Sequence, residues 1–209
     1  MAPEEIERQS FAIIRAELGP DLPPPETADI VLRVIHATAD FEFARVLQCS
    51  PGAVAAGRAA LAQGSAVITD TTMALAGINK KSLARHGCTG HCYIADEDVA
   101  TAALARGTTR SAAAADKAAR LYPDGIYVVG NAPTALLRLC ELVADGVLRP
   151  RLIVGVPVGF VQVEQSKEAL MRCAVPWITT VGRKGGSTVA AAICNALVYG
   201  LDQSSSIQS

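Results

Sequence analysis

The chain has 209 residues, half of them apolar, with aromatics at only 4% and a formal net charge of −1. This length buries one substantial core, so residues 1–209 read as a single domain. Near-neutral charge offers no field to gather nucleic acid or an anionic membrane surface, and no apolar run approaches the roughly twenty residues of a membrane span. Neither nucleic acid nor membrane is therefore an expected partner, and any anionic ligand must be held by local groups. Met1 leads into the acidic run Ala2-Pro3-Glu4-Glu5, the wrong charge for a secretory or transit segment. Cys49, Cys88, Cys92, Cys140, Cys173 and Cys194 are scattered, four of them in apolar or Ala-rich stretches. They read as reduced, mostly buried thiols in a cytoplasmic protein.

In chain order, the first expected helix runs from Pro3 to Leu18, where Ile6, Ser10, Ile13 and Ile14 recur on one face before Gly19-Pro20 ends it. The run Pro23-Pro24-Pro25 feeds proline into the first turn of a second helix with the apolar stripe Ala28, Val31, Leu32 and Ile35. His36 falls near the end of that helix at the edge of the stripe, with Arg33 one turn before it. An Ala-rich helix follows from Ala53 to Gln63. Beyond it, the aliphatic runs Ala66–Asp70, His91–Ala95, Ile126–Val129, Leu152–Val156 and Trp177–Val181 alternate with Ala-rich helical segments. Five strands joined by helices imply right-handed crossovers and a sheet covered on both faces. The expected fold is α/β, a three-layer flavodoxin-like architecture with a five-stranded parallel sheet. The polar, Ser-rich stretch 202–209 is expected to be a flexible tail.

In such sheets the ligand lies beyond the carboxyl ends of the strands, so the turns there are the candidate site. Gly182-Arg183-Lys184-Gly185-Gly186-Ser187 suits a backbone anion nest at the start of the last helix, with Arg183 and Lys184 adding charge; the same turn also serves as a plain strand-to-helix connection with solvated cations. Asn131-Ala132-Pro133-Thr134 suits a helix cap as well as ligand contact. Thr108-Thr109-Arg110-Ser111 precedes an expected helix over Ala112–Arg120 and pairs a hydroxyl cap with an arginine that can clamp a carboxylate. His86, Cys88, His91 and Cys92 cluster, but adjacent residues on a strand face opposite ways and the spacing is wrong for zinc, so no metal site is expected. Asp70 at a strand end invites comparison with a phosphoacceptor, yet no acidic cluster for magnesium lies near the first strand. Neither a dinucleotide fingerprint nor a P-loop is present. His36 is the main candidate for acid–base work: it lies beside the negative end of its helix dipole, which suits a proton donor, and Arg33 at i−3 is near enough to hold an anionic group of the same ligand.

The chain resembles the precorrin-8X methylmutase family in several motifs kept in order: Ser10-Phe11, the stretch from Arg33 through Val34, Ile35, His36, Ala37, Thr38 and Ala39 to Asp40, Thr108 to Ser111, Gly130 to Thr134, Gly155 to Phe160 followed by Glu164 and Lys167, and Gly182 to Ser187. It departs from the common pattern at Thr71-Thr72, where an acidic residue is expected near Asp70 and Met73. The resemblance implies a homodimer without a cofactor that moves a methyl group from C-11 to C-12 of a tetrapyrrole, converting precorrin-8X to hydrogenobyrinic acid; a cobalt-precorrin-8 substrate and a non-catalytic corrinoid carrier are the alternatives. It implies His36 as catalytic proton donor and acceptor, with Ser10 and Arg33 on the substrate. Thr109, Arg110, Ser111, Asn131, Thr134, Val158, Gly159, Phe160, Arg183, Lys184, Gly185, Gly186 and Ser187 would complete the pocket. A wide apolar cleft rimmed by Arg33, Arg110, Arg183 and Lys184 would match an apolar disc carrying many carboxylates.

Overall fold

The computed structural model describes residues 2–206. Helix α1 (Pro3–Leu18) has proline in its first turn and ends at Gly19. Ile14 and Leu18 are buried, whereas Ile6 and Ile13 are 51% and 62% exposed, so this chain covers only part of the stripe. Helix α2 (Pro25–Thr38) buries Ile30 and Val34 as well as its expected stripe, because it packs against both α1 and the last helix, α11 (Ser187–Ser206).

A strand forms at each expected run: β2 (Val67–Thr69), β3 (Gly90–Cys92, which starts one residue early and leaves out Tyr93, Ile94 and Ala95), β4 (Ile126–Val129), β5 (Leu152–Gly155) and β6 (Trp177–Thr180). A further strand precedes them, β1 (Leu47–Cys49), reached through the single turn α3 (Phe43–Val46). The sheet order is β1-β6-β5-β4-β2-β3. Its last five members pair in parallel in the flavodoxin-type order, but β1 runs antiparallel to β6, with Leu47 opposite Thr180. The expected five-stranded parallel sheet is therefore corrected to a mixed sheet of six strands among the described residues. A three-residue strand carries no periodicity to detect; it forms because β6 would otherwise present an open edge, which Val181 N–H to Val46 O at 2.7 Å and Ser50 N–H to Trp177 O at 2.9 Å help to close.

Alternating strand residues feed two cores. Val128 and Val154 join α2, α4 (Ala53–Ala62) and the Val189, Ile193 and Leu197 side of α11. Tyr127 and Ile153 face α8 (Arg110–Leu121), α9 (Pro133–Ala144) and α10 (Val163–Met171). The short helices α5 (Thr72–Gly77) and α6 (Lys80–Arg85) pack on α11, and α7 (Glu97–Arg106) packs on α8. The stretch 202–209, expected as a flexible tail, begins inside α11, which continues to Ser206, and Asp202 meets Arg85 at 3.1 Å and His86 Nε2 at 3.0 Å. Residues 207–209 lie outside the described residues. Among the described residues, no helix is long and apolar enough to cross a membrane.

Asp70, at the end of β2, braces the turn after β4. Its carboxylate accepts the N–H groups of Gly130 at 2.9 Å and of Asn131 and Ala132 at 2.8 Å each. Burial pushes its carboxyl above the usual carboxylate range, and the three donors oppose that shift. An amide has one acceptor oxygen and cannot serve both sides of this turn. Asp70→Asn is therefore expected to lower stability by about 2 kcal/mol, measured by denaturant unfolding.

Cys194 lies wholly within the core, and burial raises its thiol to about 12. The unfolded thiol loses its proton near pH 9, so the contribution of this group is full below that pH and is lost as pH rises towards about 12. The stability advantage of the parent over Cys194→Ala should shrink by about 2 kcal/mol between roughly pH 9 and 10.5. Paired denaturation curves across that window check it.

Candidate active site

His36 sits in the last turn of α2, exposed, with its ring centroid 5.2 Å from that of Phe11. The same Phe11 ring carries the Arg33 guanidinium 4.7 Å from its centroid, and Tyr199 of α11 carries it from another side at 4.9 Å. Arg33 also pairs with Glu7. Phe11, Arg33 and Tyr199, with Glu7, Arg8, Ala12, Arg15 and Asp202, line an open cleft of about 590 Å³. Aromatic faces joined to several guanidinium groups make a surface that can take an apolar ring system bearing carboxylates. Ser10 is adjacent to Phe11, and its hydroxyl donates to Ile6 O at 2.8 Å.

The chain leaves α2 through Ala39 in the left-handed region (φ 54°). Asp40 N–H then donates to Thr38 Oγ1 at 3.3 Å, and Asp40 accepts Glu42 N–H at 3.0 Å. Into this turn reaches Lys184, whose ammonium lies 2.6 Å from both Asp40 Oδ2 and Glu42 Oε2. Its hydrogen bond, the leading cause, holds the Asp40 carboxyl below the usual range, against the opposing effect of burial; the Glu42 N–H and the lysine charge add to it. The turn after β6 and the end of the helix bearing His36 are thus tied together.

The remaining candidate residues gather at the carboxyl ends of the strands. Thr109 caps α8 and donates its hydroxyl to Thr134 Oγ1 at 2.8 Å, which joins the 108–111 and 131–134 segments. Arg110 and Ser111 are the first residues of α8, and Asn131 is exposed beside the Asp70 brace. Ser187 Oγ is 2.8 Å from Thr71 Oγ1. Val158 and Phe160 are 45% and 84% exposed, and the Arg183 guanidinium lies 5.5 Å from the Phe160 centroid. Gly159 N–H donates to Arg183 O at 3.3 Å, which links these two turns.

Two of the candidate residues are engaged within the fold. Gly186 (φ 123°) directs its N–H to Val156 O at 2.9 Å, so this amide serves the fold rather than an outward anion nest. A Cβ on Gly185 would stand 2.2 Å from that same carbonyl; the glycine is required for close approach of main chain to main chain. Lys184 is likewise no free rim cation, since two carboxylates hold it. Sequence reading missed Phe11 and Tyr199 as site residues, because nothing in their spacing says that α1 and α11 meet at Arg33. It also gave Lys167 no role, although this lysine is 1% exposed. A charged residue in an apolar helical stripe, as Lys167 is between Val163 and Leu170, was the available signal.

The histidine and cysteine cluster disperses. His86 pairs with Asp202, the Cys88 thiol donates to Leu61 O at 3.1 Å, and the His91 ring stacks on Tyr122 with centroids 4.6 Å apart. Among the described residues, no three His, Cys, Asp or Glu side chains are placed to hold a metal ion.

A family model described as precorrin-8X methylmutase matches residues 5–200. A cobalt-precorrin-8 methylmutase of Salmonella typhimurium is 47% identical over 207 residues, covering 95% of this chain and 96% of the relative. A precorrin-8X methylmutase of Pseudomonas aeruginosa is 42% identical over 196 residues, covering 93% and 94%. The solved precorrin-8X methyl mutase of Thermus thermophilus superposes with a TM-score of 0.89 at 42% identity, over 96% of this chain and 97% of the other. With a family model matching residues 5–200 and relatives above 40% identical over more than nine-tenths of its length, the chain belongs to the precorrin-8X methylmutase family.

Proposed function

We propose that this protein is the isomerase of cobalamin biosynthesis that moves a methyl group from C-11 to C-12 of precorrin-8X, giving hydrogenobyrinic acid, with His36 as proton donor and acceptor. The observation that carries this reading is the placement of His36: an exposed imidazole at a helix end, against a phenylalanine that also walls a cleft rich in arginine and aromatic faces. A methyl shift along a conjugated ring needs the electron distribution changed and the ring conformation held; it needs no nucleophile or hydride carrier. Protonation of a ring nitrogen by His36 draws electron density towards that nitrogen and favours a [1,5]-sigmatropic shift. Return of the proton to His36 completes the cycle with no net proton change.

Arg33 keeps guanidinium N–H donors beyond the one that meets Glu7, and these suit a peripheral carboxylate. Ser10, beside Phe11, supplies a hydroxyl next to the same wall. Arg110, Ser111, Asn131, Thr134, Val158, Phe160 and Arg183 complete the pocket from the strand ends, and Lys184, Gly185 and Gly186 support it by holding the turns. A central cobalt, where present, arrives with the substrate; relatives carry both the cobalt-precorrin-8 and the precorrin-8X names. The working unit is a homodimer, supported by Ile6 and Ile13, exposed seven residues apart on one face of α1. Free cysteines at all six positions suit a reducing cytoplasm.

Absorption time courses with precorrin-8X and cobalt-precorrin-8 test the activity. The parent should convert one of them to the corrin spectrum, while His36→Ala should lose at least about a hundredfold in kcat, in keeping with loss of general acid–base catalysis, and still bind the product. A bound but unchanged chromophore in the parent with both substrates would replace this reading by a carrier. Ile13→Arg should shift the sedimentation profile from dimer towards monomer; a parent that sediments as a monomer would refute the assembly.

A further inference from the structure

Lys167 on α10 is buried, and all three acceptors of its ammonium belong to one strand end. They are Thr180 Oγ1 at 2.9 Å, Gly182 O at 2.8 Å and Lys184 O at 2.7 Å. Thr180 Oγ1 in turn donates to Lys184 O at 2.7 Å. A charge is tolerated at such depth only when its donors are matched, and an apolar side chain of the same length would fill the space without that cost. Packing therefore does not explain the ammonium; the geometry of the 180–184 turn does. That turn exposes Arg183 beside Phe160 and sends Lys184 to Asp40 and Glu42, just beyond the helix of His36.

We propose that Lys167 is a positioning residue for the reaction: its ammonium fixes the turn after β6 so that Arg183 meets the carboxylates of the tetrapyrrole. The ligand in this assignment rests on the methylmutase reading, whereas the clamp rests on the contacts above. Burial, the leading cause, holds the ammonium down to about 8, and the Glu164 carboxylate on the same helix opposes it. Across from it lie the Thr180 hydroxyl and the two carbonyls. On the turn, Arg183 stands against Phe160, and the Lys184 charge is paired with Asp40 and Glu42. On the adjoining α9, Arg138 and Glu141 are paired with each other. Loss of the proton leaves an amine with two N–H groups for three acceptors, so ligand affinity falls as pH rises through about 8.

The test compares the parent with Lys167→Met. With the substrate that the parent converts, the variant should raise KM about tenfold and keep kcat within about threefold, the pattern of lost binding common to ground and transition states. Trypsin should also cut after Arg183 or Lys184 about tenfold faster in the variant, in line with a released surface turn. A folded variant with the parent's KM and trypsin rate overturns the assignment. Should Lys167→Met fail to fold, the parent decides: its Kd for the corrin product should rise severalfold between roughly pH 7 and 9, with a midpoint that moves down in Thr180→Val, where one acceptor of the ammonium is gone. A flat Kd, or a midpoint unmoved in Thr180→Val, overturns it equally. A parent that neither converts nor binds either corrinoid refutes the methylmutase reading instead, and the trypsin comparison still decides whether Lys167 holds the turn.

Discussion

At the carboxyl ends of β4, β5 and β6, three turns pack main chain against main chain, and the candidate site rests on that contact. A Cβ on Gly130 would stand 2.7 Å from Ser187 Cα, and one on Gly185 would stand 2.2 Å from Val156 O. With no side chains between them, the turns are held at hydrogen-bonding range by Gly186 N–H on Val156 O, Gly159 N–H on Arg183 O and the Asp70 carboxylate on the turn after β4. Such close packing leaves few conformations open. The residues projecting outward, Asn131, Phe160 and Arg183, are positioned by a framework that is mostly backbone.

Electrostatics completes the framework. A chain of formal charge −1 has no general attraction for a polyanionic ligand, and two of its four expected rim cations already have carboxylate partners: Arg33 with Glu7, and Lys184 with Asp40 and Glu42. The two pairings differ in kind. Arg33 is a planar fork with donors to spare and lies between two aromatic rings, so it can hold Glu7 and a ligand together. Lys184 is a point charge taken up by two oxygens at 2.6 Å, and it serves to join the end of α2 to the turn after β6. Buried Lys167 adds a third tie from α10. Helices from opposite faces of the sheet thus meet at one turn.

Much of this was legible beforehand. The Pro3–Leu18 helix, the helix bearing His36 and all five expected strands follow from periodicity, proline at helix starts and aliphatic runs, each a local property. The fold-level correction has a non-local cause: strand β1 exists because β6 has an edge to cover. In the candidate site, the motif segments stood out as segments, but the contacts that each residue makes within the fold were not visible. Gly186 and Lys184 read as ligand-facing because glycines and cations after a strand usually are; here a carbonyl of a different turn takes the amide and two carboxylates take the ammonium.

By itself the sequence determined the long helices, the five strands after β1 and the family, because these reside in local pattern and in the order of long motifs. It also singled out His36, through its place at a helix end one turn after Arg33. Only the tertiary structure decided which of the candidate groups are engaged within the fold and which remain open. That choice depends on contacts between residues far apart in the chain, such as Tyr199 with Arg33, Lys184 with Asp40 and Lys167 with Gly182. The same ammonium or amide serves either purpose until its nearest oxygen is known.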